Sequence, residues 1–196
     1  MMRSVYRDDA FQTSELEDPT AKSLVHHAYR EDADLIVVAT ESAGLIESML
    51  HSSMPERVAR QAPCPVVTVS PESAIRTDMN HLLVGFDFSE QSTRALESAC
   101  DLVGPEGRIT VLRVLPKPNL LASMDARSTM IDEPPVSPIE LAAAGELRRL
   151  EEMIQELRRP GINFDPWVAT GKVDAEIARV AREADVDAVV LGSHQH

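Results

Sequence analysis

The sequence predicts an α/β protein built around a doubly wound, mostly parallel, Rossmann-like sheet. Short apolar runs, typical of buried strands, alternate along the chain with segments whose apolar residues recur at helical spacing. The alternation resumes after a polar connector that follows Pro71. Because strands that alternate with helices usually pair in parallel, we expect a parallel sheet with helices on both faces.

The N-terminal region predicts an arm followed by half of such a sheet. Residues 1–18 are polar and show no periodicity, which indicates a flexible arm. Residues 19–75 predict, in order, a helix with Leu24, Val25, Ala28 and Tyr29 on one face, a buried strand at 35–38, a helix carrying Ile46, Met49, Leu50 and Val58, and a strand within 62–70. This order is half of a βαβ arrangement.

Residues 79–196 predict a second, longer unit. Its elements are a strand at 81–86, a helix capped by Ser89 with Ala95, Leu96, Ala99 and Leu102 on one face, a strand at 107–115, a proline-rich loop at 116–138, a helix with Leu147, Leu150, Ile154 and Leu157, a strand near 164–169, a helix near 175–184 and a strand at 187–191. Matches between residues 24–37 and 177–190 indicate an internal duplication.

Composition excludes several classes of protein. With 196 residues, 43% of them hydrophobic, the chain is long enough to bury a full core. A net charge of −13 opposes attraction to nucleic acid or anionic lipid, and no apolar stretch approaches the roughly 20 residues of a membrane span. We therefore expect neither nucleic acid nor membrane as a partner. Cys64 and Cys100 are too few for a disulfide framework, which predicts a reducing, cytoplasmic setting.

The candidate ligand residues follow the predicted strands, because ligands of open parallel sheets bind outside the carboxyl ends of the strands. Asp87 and Ser89 follow the strand at 81–86, and Gly192 follows the strand at 187–191. A carboxylate there can accept hydrogen bonds from a ribose or an adenine amino group, and a glycine lets a ligand approach the backbone. The alternative is that Asp87 and Ser89 only shape the turn and cap the helix.

Catalytic and metal motifs are not found in the sequence. It contains neither a Gly-x-Ser-x-Gly pentapeptide nor a glycine-rich loop ending in Lys-Ser or Lys-Thr. His194 and His196 offer two metal ligands on a C-terminal tail, which is a poor site. We therefore predict a protein that is not an enzyme and holds no metal.

Four segments of the chain resemble the universal stress protein family. They read ADLIVVAT, PERVARQAPCPVVTVSP, LLVGFDFSEQSTRALESA and VDAVVLGSH, in the order expected for the end of one unit followed by most of a second. The resemblance implies a five-stranded sheet of order 3-2-1-4-5 and dimers or tandem pairs that meet through the fifth strand. It also implies a non-catalytic stress-response or regulatory role, with ATP or AMP as the candidate ligand.

The resemblance also locates a nucleotide site, which this chain keeps only in part. Family members that bind ATP hold its phosphates on a loop reading Gly, two residues, Gly, nine residues, then Gly-Ser or Gly-Thr. In the first unit these glycines are replaced by Ala39, Ser42 and Ser52, and Ser53 alone keeps its match. Side chains at these positions obstruct phosphate binding by backbone amides.

The second unit keeps more of the family's adenine and ribose positions. The matching residues are Gly85, Phe86, Asp87, Val114, Leu191 and Gly192. The sequence stops before a phosphate loop and fifth strand of this unit. One hypothesis is a composite, in which residues 41–70 supply the missing helix and strand to the sheet of residues 79–191, within one chain or by exchange between two.

Two further alternatives stay open at this point. The apolar strand Val66–Val69 predicts either pairing with a second copy at a sheet edge, giving a homodimer, or burial inside the same chain. The alternative function is an interaction or dimerisation module without a ligand, derived from a longer tandem protein or from the cytoplasmic domain of a transporter. Its protein partner is unknown.

Overall fold

The computed structural model describes residues 20–39, 54–69, 79–117, 137–157 and 159–193. The predicted arm, most of the predicted helix with Ile46 and the greater part of the proline-rich loop lie outside the described residues. The chain divides into two units, residues 1–71 and 72–196.

In its described residues, the first unit contains two helices and two paired strands. They are α1 (Ala21–Arg30), β1 (Ile36–Ala39), α2 (Met54–Gln61) and β2 (Val66–Val69). α1 begins with a capping box, because the Ser23 amide donates to Thr20 Oγ1 at 3.2 Å and the Thr20 amide donates to Ser23 Oγ at 2.9 Å. β1 and β2 pair in parallel, with Ile36 opposite Val66.

The described helices cover β1 on one face only, which corrects the prediction of a buried strand at 35–38. Ile36 and Val38 are buried in a cluster that includes residues of both α1 and α2. Leu35 and Val37 point the other way and are 47% and 61% exposed. Both described helices thus pack on the same face of the sheet, so the strand alternates between buried and exposed positions. The prediction that Tyr29 lies on the buried, apolar face of α1 is also wrong, because this residue is 74% exposed.

The described part of the second unit contains four strands and three helices. They are β3 (His81–Gly85), α3 (Glu90–Leu102), β4 (Arg108–Leu115), α4 (Pro138–Leu157), β5 (Asn163–Thr170), α5 (Val173–Glu183) and β6 (Ala188–Leu191). The sheet order is β5-β4-β3-β6, and every pairing is parallel. Counted within the unit this is the order 3-2-1-4, so the predicted doubly wound α/β fold is confirmed.

The core of this unit fills both sides of the sheet. Leu82 and Val84 of β3 pack with α3 and α4, while Gly85 faces Ile177 of α5. Ser89 is the N-cap of α3, as predicted, and accepts a hydrogen bond from the Ser92 amide at 3.2 Å. Leu102, predicted on the buried face of α3, is 48% exposed because the helix ends at this residue. Among the described helices, none is both long and apolar enough to cross a membrane.

Candidate functional site

The carboxyl edge of the second sheet brings most of the predicted ligand residues together. Gly85 lies opposite Leu191 in the register of β3 and β6, so the residues that follow both strands emerge side by side. These residues are Phe86 and Asp87 after β3 and Gly192 after β6. Parallel strands end at a common edge, which explains why sequence reasoning located this group.

The two remaining predicted positions differ from the rest. Val114 lies late in β4 opposite Ala169, and its side chain is buried at 8% exposure. Ser53, predicted from the phosphate loop of the first unit, lies outside the described residues. Phe86 is buried as well, at 4% exposure, and belongs to the core with α3 and α4. Asp87 is therefore the exposed polar residue of the group.

Asp87 is held by the first turn of α3. Its Oδ1 accepts a hydrogen bond from the Ser89 amide at 3.0 Å and another from the Ser89 hydroxyl. Its own amide donates to Ser92 Oγ at 3.3 Å. Burial by itself raises the pKa of Asp87, but the hydrogen bonds with Ser89 and Ser92 and the charge of Arg113 outweigh it, so the pKa lies below the ordinary value. The side chain is thus an oriented, ionised carboxylate that accepts hydrogen bonds.

Gly85 and Gly192 both have a packing role. A Cβ added at Gly192 would lie 2.6 Å from the carbonyl carbon and oxygen of Gln91 and 2.9 Å from the Ser92 nitrogen. The first turn of α3 therefore fills the space beside Gly192. At Gly85 an added Cβ would lie 2.6 Å from Leu191 Cδ2. Both glycines allow close approach within the protein, and their presence does not require a ligand.

A cluster that sequence reasoning missed lies beside Asp87. We call Phe88, Arg113, Glu146 and Arg149 the arginine cluster. The guanidinium carbon of Arg149 lies 3.8 Å from the centroid of the Phe88 ring, and that of Arg113 lies 5.8 Å from it. Arg113 Nε donates to Glu146 Oε2 at 3.1 Å. One signal was present in the sequence, because Arg113 is a charged residue between the apolar residues Leu112 and Val114 of β4, but nothing in the sequence placed Arg149 against Phe88.

Phe88 has a backbone conformation that residues with a side chain rarely adopt. Its φ is +66°. The ring is held on one side by Arg149 and packs edge to face on Phe86, with 5.2 Å between the centroids. These contacts offset the cost of the left-handed conformation at the residue that follows Asp87.

Substitution of Phe88 separates the backbone cost from the ring contacts. Phe88→Ala and Phe88→Gly both remove the ring, but only glycine adopts a left-handed φ without steric cost. We expect the free energy of unfolding of Phe88→Gly to exceed that of Phe88→Ala by about 1 kcal/mol. Urea unfolding followed by the fluorescence of Trp167, the single tryptophan, measures this in the second unit. An alanine variant as stable as the glycine variant would contradict a left-handed residue 88.

Two open depressions lie near the start of β5, among the residues that the structure describes. Each has a volume of about 500 Å³, and Asn163, the first residue of β5, lines both. Neither is lined by Asp87 or by the arginine cluster. Within the described ranges there is no group of three His, Cys, Asp or Glu side chains that could hold a metal ion.

The fold defines a doubly wound α/β protein with a parallel sheet, and most of the predicted ligand residues lie at the carboxyl edge of that sheet. The model of the universal stress protein family matches residues 3–70 and 79–196, and the chain belongs to this family. A curated relative, the universal stress protein in the QAH/OAS sulfhydrylase 3' region of Thermus aquaticus, is 35% identical over 68 residues, which are 35% of this chain and 47% of the relative. Family membership supports a stress-response protein.

The fold agrees with that of a solved structure. The match with a universal stress protein from Archaeoglobus fulgidus covers 86% of this chain and 52% of the Archaeoglobus chain, with a TM-score of 0.57 and 19% identity. Universal stress protein UspA from Lactobacillus plantarum matches 62% of this chain and 81% of its own, with a TM-score of 0.42 and 18% identity. The chain thus spans about half the length of both the curated relative and the Archaeoglobus structure that it matches.

Proposed function

We propose that this chain is a non-catalytic stress-response protein that binds a small ligand of the adenine nucleotide class, ATP or AMP, at the carboxyl edge of its second sheet. The observation that carries the proposal is Asp87, an exposed carboxylate oriented by Ser89. It can accept hydrogen bonds from ribose hydroxyls or from the adenine amino group. Cys64 and Cys100 are both free thiols, in keeping with a cytoplasmic setting.

Titration calorimetry with ATP and AMP tests this function. We expect saturable binding by the wild-type chain and at least about 10-fold weaker binding by Asp87→Ala, because a hydrogen bond to a charged group contributes about 1.5–3 kcal/mol. Asp101→Ala is the matched control, since Asp101 lies at the far end of α3, is 68% exposed and pairs only with Arg159 in the salt bridges described. Its binding should equal that of the wild type.

A second candidate function is an interaction module without a ligand. It is favoured by the apolar face of β1, where Leu35 and Val37 are exposed, and by the packing roles of Gly85 and Gly192. In this proposal the strand Val66–Val69 pairs with a second copy and the chain forms a homodimer. Light scattering in the calorimetry buffer discriminates the two functions. A folded dimer that gives no heat up to millimolar nucleotide would favour the module and contradict the ligand proposal.

A further inference from the structure

Two arginines of the arginine cluster are held close together on a strongly acidic chain. The chain has a net charge of −13, yet Arg113 and Arg149 both lie against the ring of Phe88. Arg113 comes from β4 and Arg149 from α4, so packing of the helix on the strand is what brings them together. Like charges repel, and the carboxylate of Glu146, within 4.0 Å of a nitrogen of each arginine, offsets that repulsion.

Glu146 forms an ion pair with both arginines but a hydrogen bond with only one of them. Its Oε2 accepts from Arg113 Nε at 3.1 Å, and both side chains are 25% exposed. Its Oε1 lies 4.0 Å from Arg149 Nη1, which is beyond hydrogen-bond distance, and the Arg149 side chain is 60% exposed. A guanidinium that lies over an aromatic ring still presents N–H groups at the edge of its own plane, where they can bind an oxyanion.

We propose that Arg113 and Arg149 form a binding site for the phosphate groups of a ligand, beside Asp87 and in place of a glycine-rich loop. A phosphate oxygen would accept from Arg149 and compete with Glu146 for Arg113. Phe88, whose ring lies against both arginines, directly follows Asp87, so the cluster lies next to this carboxylate. The assignment of those phosphates to an adenine nucleotide rests on the proposed function above; binding of a phosphate anion alone does not.

Glu146 then competes with phosphate for Arg113. Substitution of an arginine and substitution of Glu146 should therefore change phosphate binding in opposite directions. Removal of an arginine removes a phosphate donor, so binding should weaken. Removal of the Glu146 charge frees Arg113, so binding should become tighter. A residue with a purely structural role would weaken binding or leave it unchanged, because loss of its contacts cannot create a better site. The opposite signs separate a phosphate site from a structural salt bridge.

The test is calorimetric titration with inorganic pyrophosphate, AMP and adenosine at constant ionic strength. For pyrophosphate we expect about 10-fold weaker binding by Arg149→Gln and several-fold tighter binding by Glu146→Gln. Arg149→Lys, which keeps the charge and loses the planar stack, should be intermediate. Arg179→Gln is the matched control, because Arg179 on α5 is similarly exposed at 43% and pairs with Glu176 and Glu183. Its binding should not change.

The ligand arms separate this inference from the proposed function. Pyrophosphate binding that depends on Arg149, without binding of AMP here or of ATP in the titration described above, would establish the anion site and overturn the nucleotide proposal. AMP binding that is lost in Asp87→Ala but unchanged in Arg149→Gln would overturn the anion site and leave the nucleotide proposal intact. The anion site would also be overturned if the wild type did not bind pyrophosphate, or if Arg149→Gln and Arg179→Gln bound it equally well. Circular dichroism and Trp167 fluorescence verify that each variant is folded.

Discussion

The Gly192→Ala variant is expected to unfold at a clearly lower urea concentration than the wild type. The added Cβ would lie 2.6 Å from the carbonyl carbon and oxygen of Gln91. These are backbone atoms in the first turn of α3, so the overlap cannot be relieved by rotation of a side chain. Overpacking of this kind costs about 1–3 kcal/mol, and we expect a value near the upper end. Trp167 fluorescence measures the loss, since Trp167 lies in β5 of the same sheet.

Gly145→Ala is the matched control for this prediction. Gly145 lies inside α4, and an added Cβ there would have no atom within 4 Å. Alanine is the better helix former, so we expect this variant to gain about 0.5–1 kcal/mol of unfolding free energy. Gly→Ala should thus lower the free energy of unfolding at position 192 and raise it at position 145 of the same unit. If Gly192→Ala were as stable as the wild type, β6 and α3 would not approach each other closely, and Gly192 would again be free for a role in ligand binding.

Much of the fold could be predicted because its strands are short, apolar and separated by polar turns. The predicted strand at 107–115 is β4 (Arg108–Leu115) to within one residue. Burial within the elements was harder to predict, as Leu35 and Val37 demonstrate. An apolar residue gives the same sequence signal whether or not a helix covers it, and only the tertiary structure determines which face is covered.

The start of α4 has a local cause that the apolar pattern does not contain. The predicted helix was recognised from a stripe that starts at Leu147, whereas α4 begins at Pro138. Proline is favourable at the first helical position, and the Ser137 amide donates to Glu140 Oε2 at 3.1 Å. The intervening turns are rich in alanine, whose helix propensity does not require burial. A helix whose first two turns are stabilised by these local contacts and by alanine shows little periodicity of apolar residues there.

The candidate site was predictable only as far as the strand ends define it. Asp87 and Gly192 were found because both directly follow strands of a parallel sheet. The role of Gly192 in packing on Gln91 could not be read from the sequence, because it depends on how closely α3 approaches β6. The contact of Arg149 with Phe88 joins a helix to a turn far away in the sequence, and periodicity carries no information about such a pair.

Leu150→Ala is expected to have the largest effect among single truncations in α4. Leu150 is fully buried and packs in the cluster formed by β3, β4 and α3. Its truncation removes apolar contacts and leaves a cavity that the surrounding sheet cannot fill, and Leu→Ala substitutions at such positions cost about 2–5 kcal/mol. α4 also carries Glu146 and Arg149, so loosening of the helix should weaken pyrophosphate binding together with stability.

Leu141→Ala in the same helix provides the comparison. Leu141 is 68% exposed, and its truncation should change the free energy of unfolding by no more than about 0.5 kcal/mol. Both variants replace a leucine of α4 by alanine, and the two leucines differ in their burial. Equal destabilisation by the two truncations would mean that α4 does not dock on the sheet through Leu150. In that case the contact of Arg149 with Phe88, which depends on the same docking, would have to be abandoned as well.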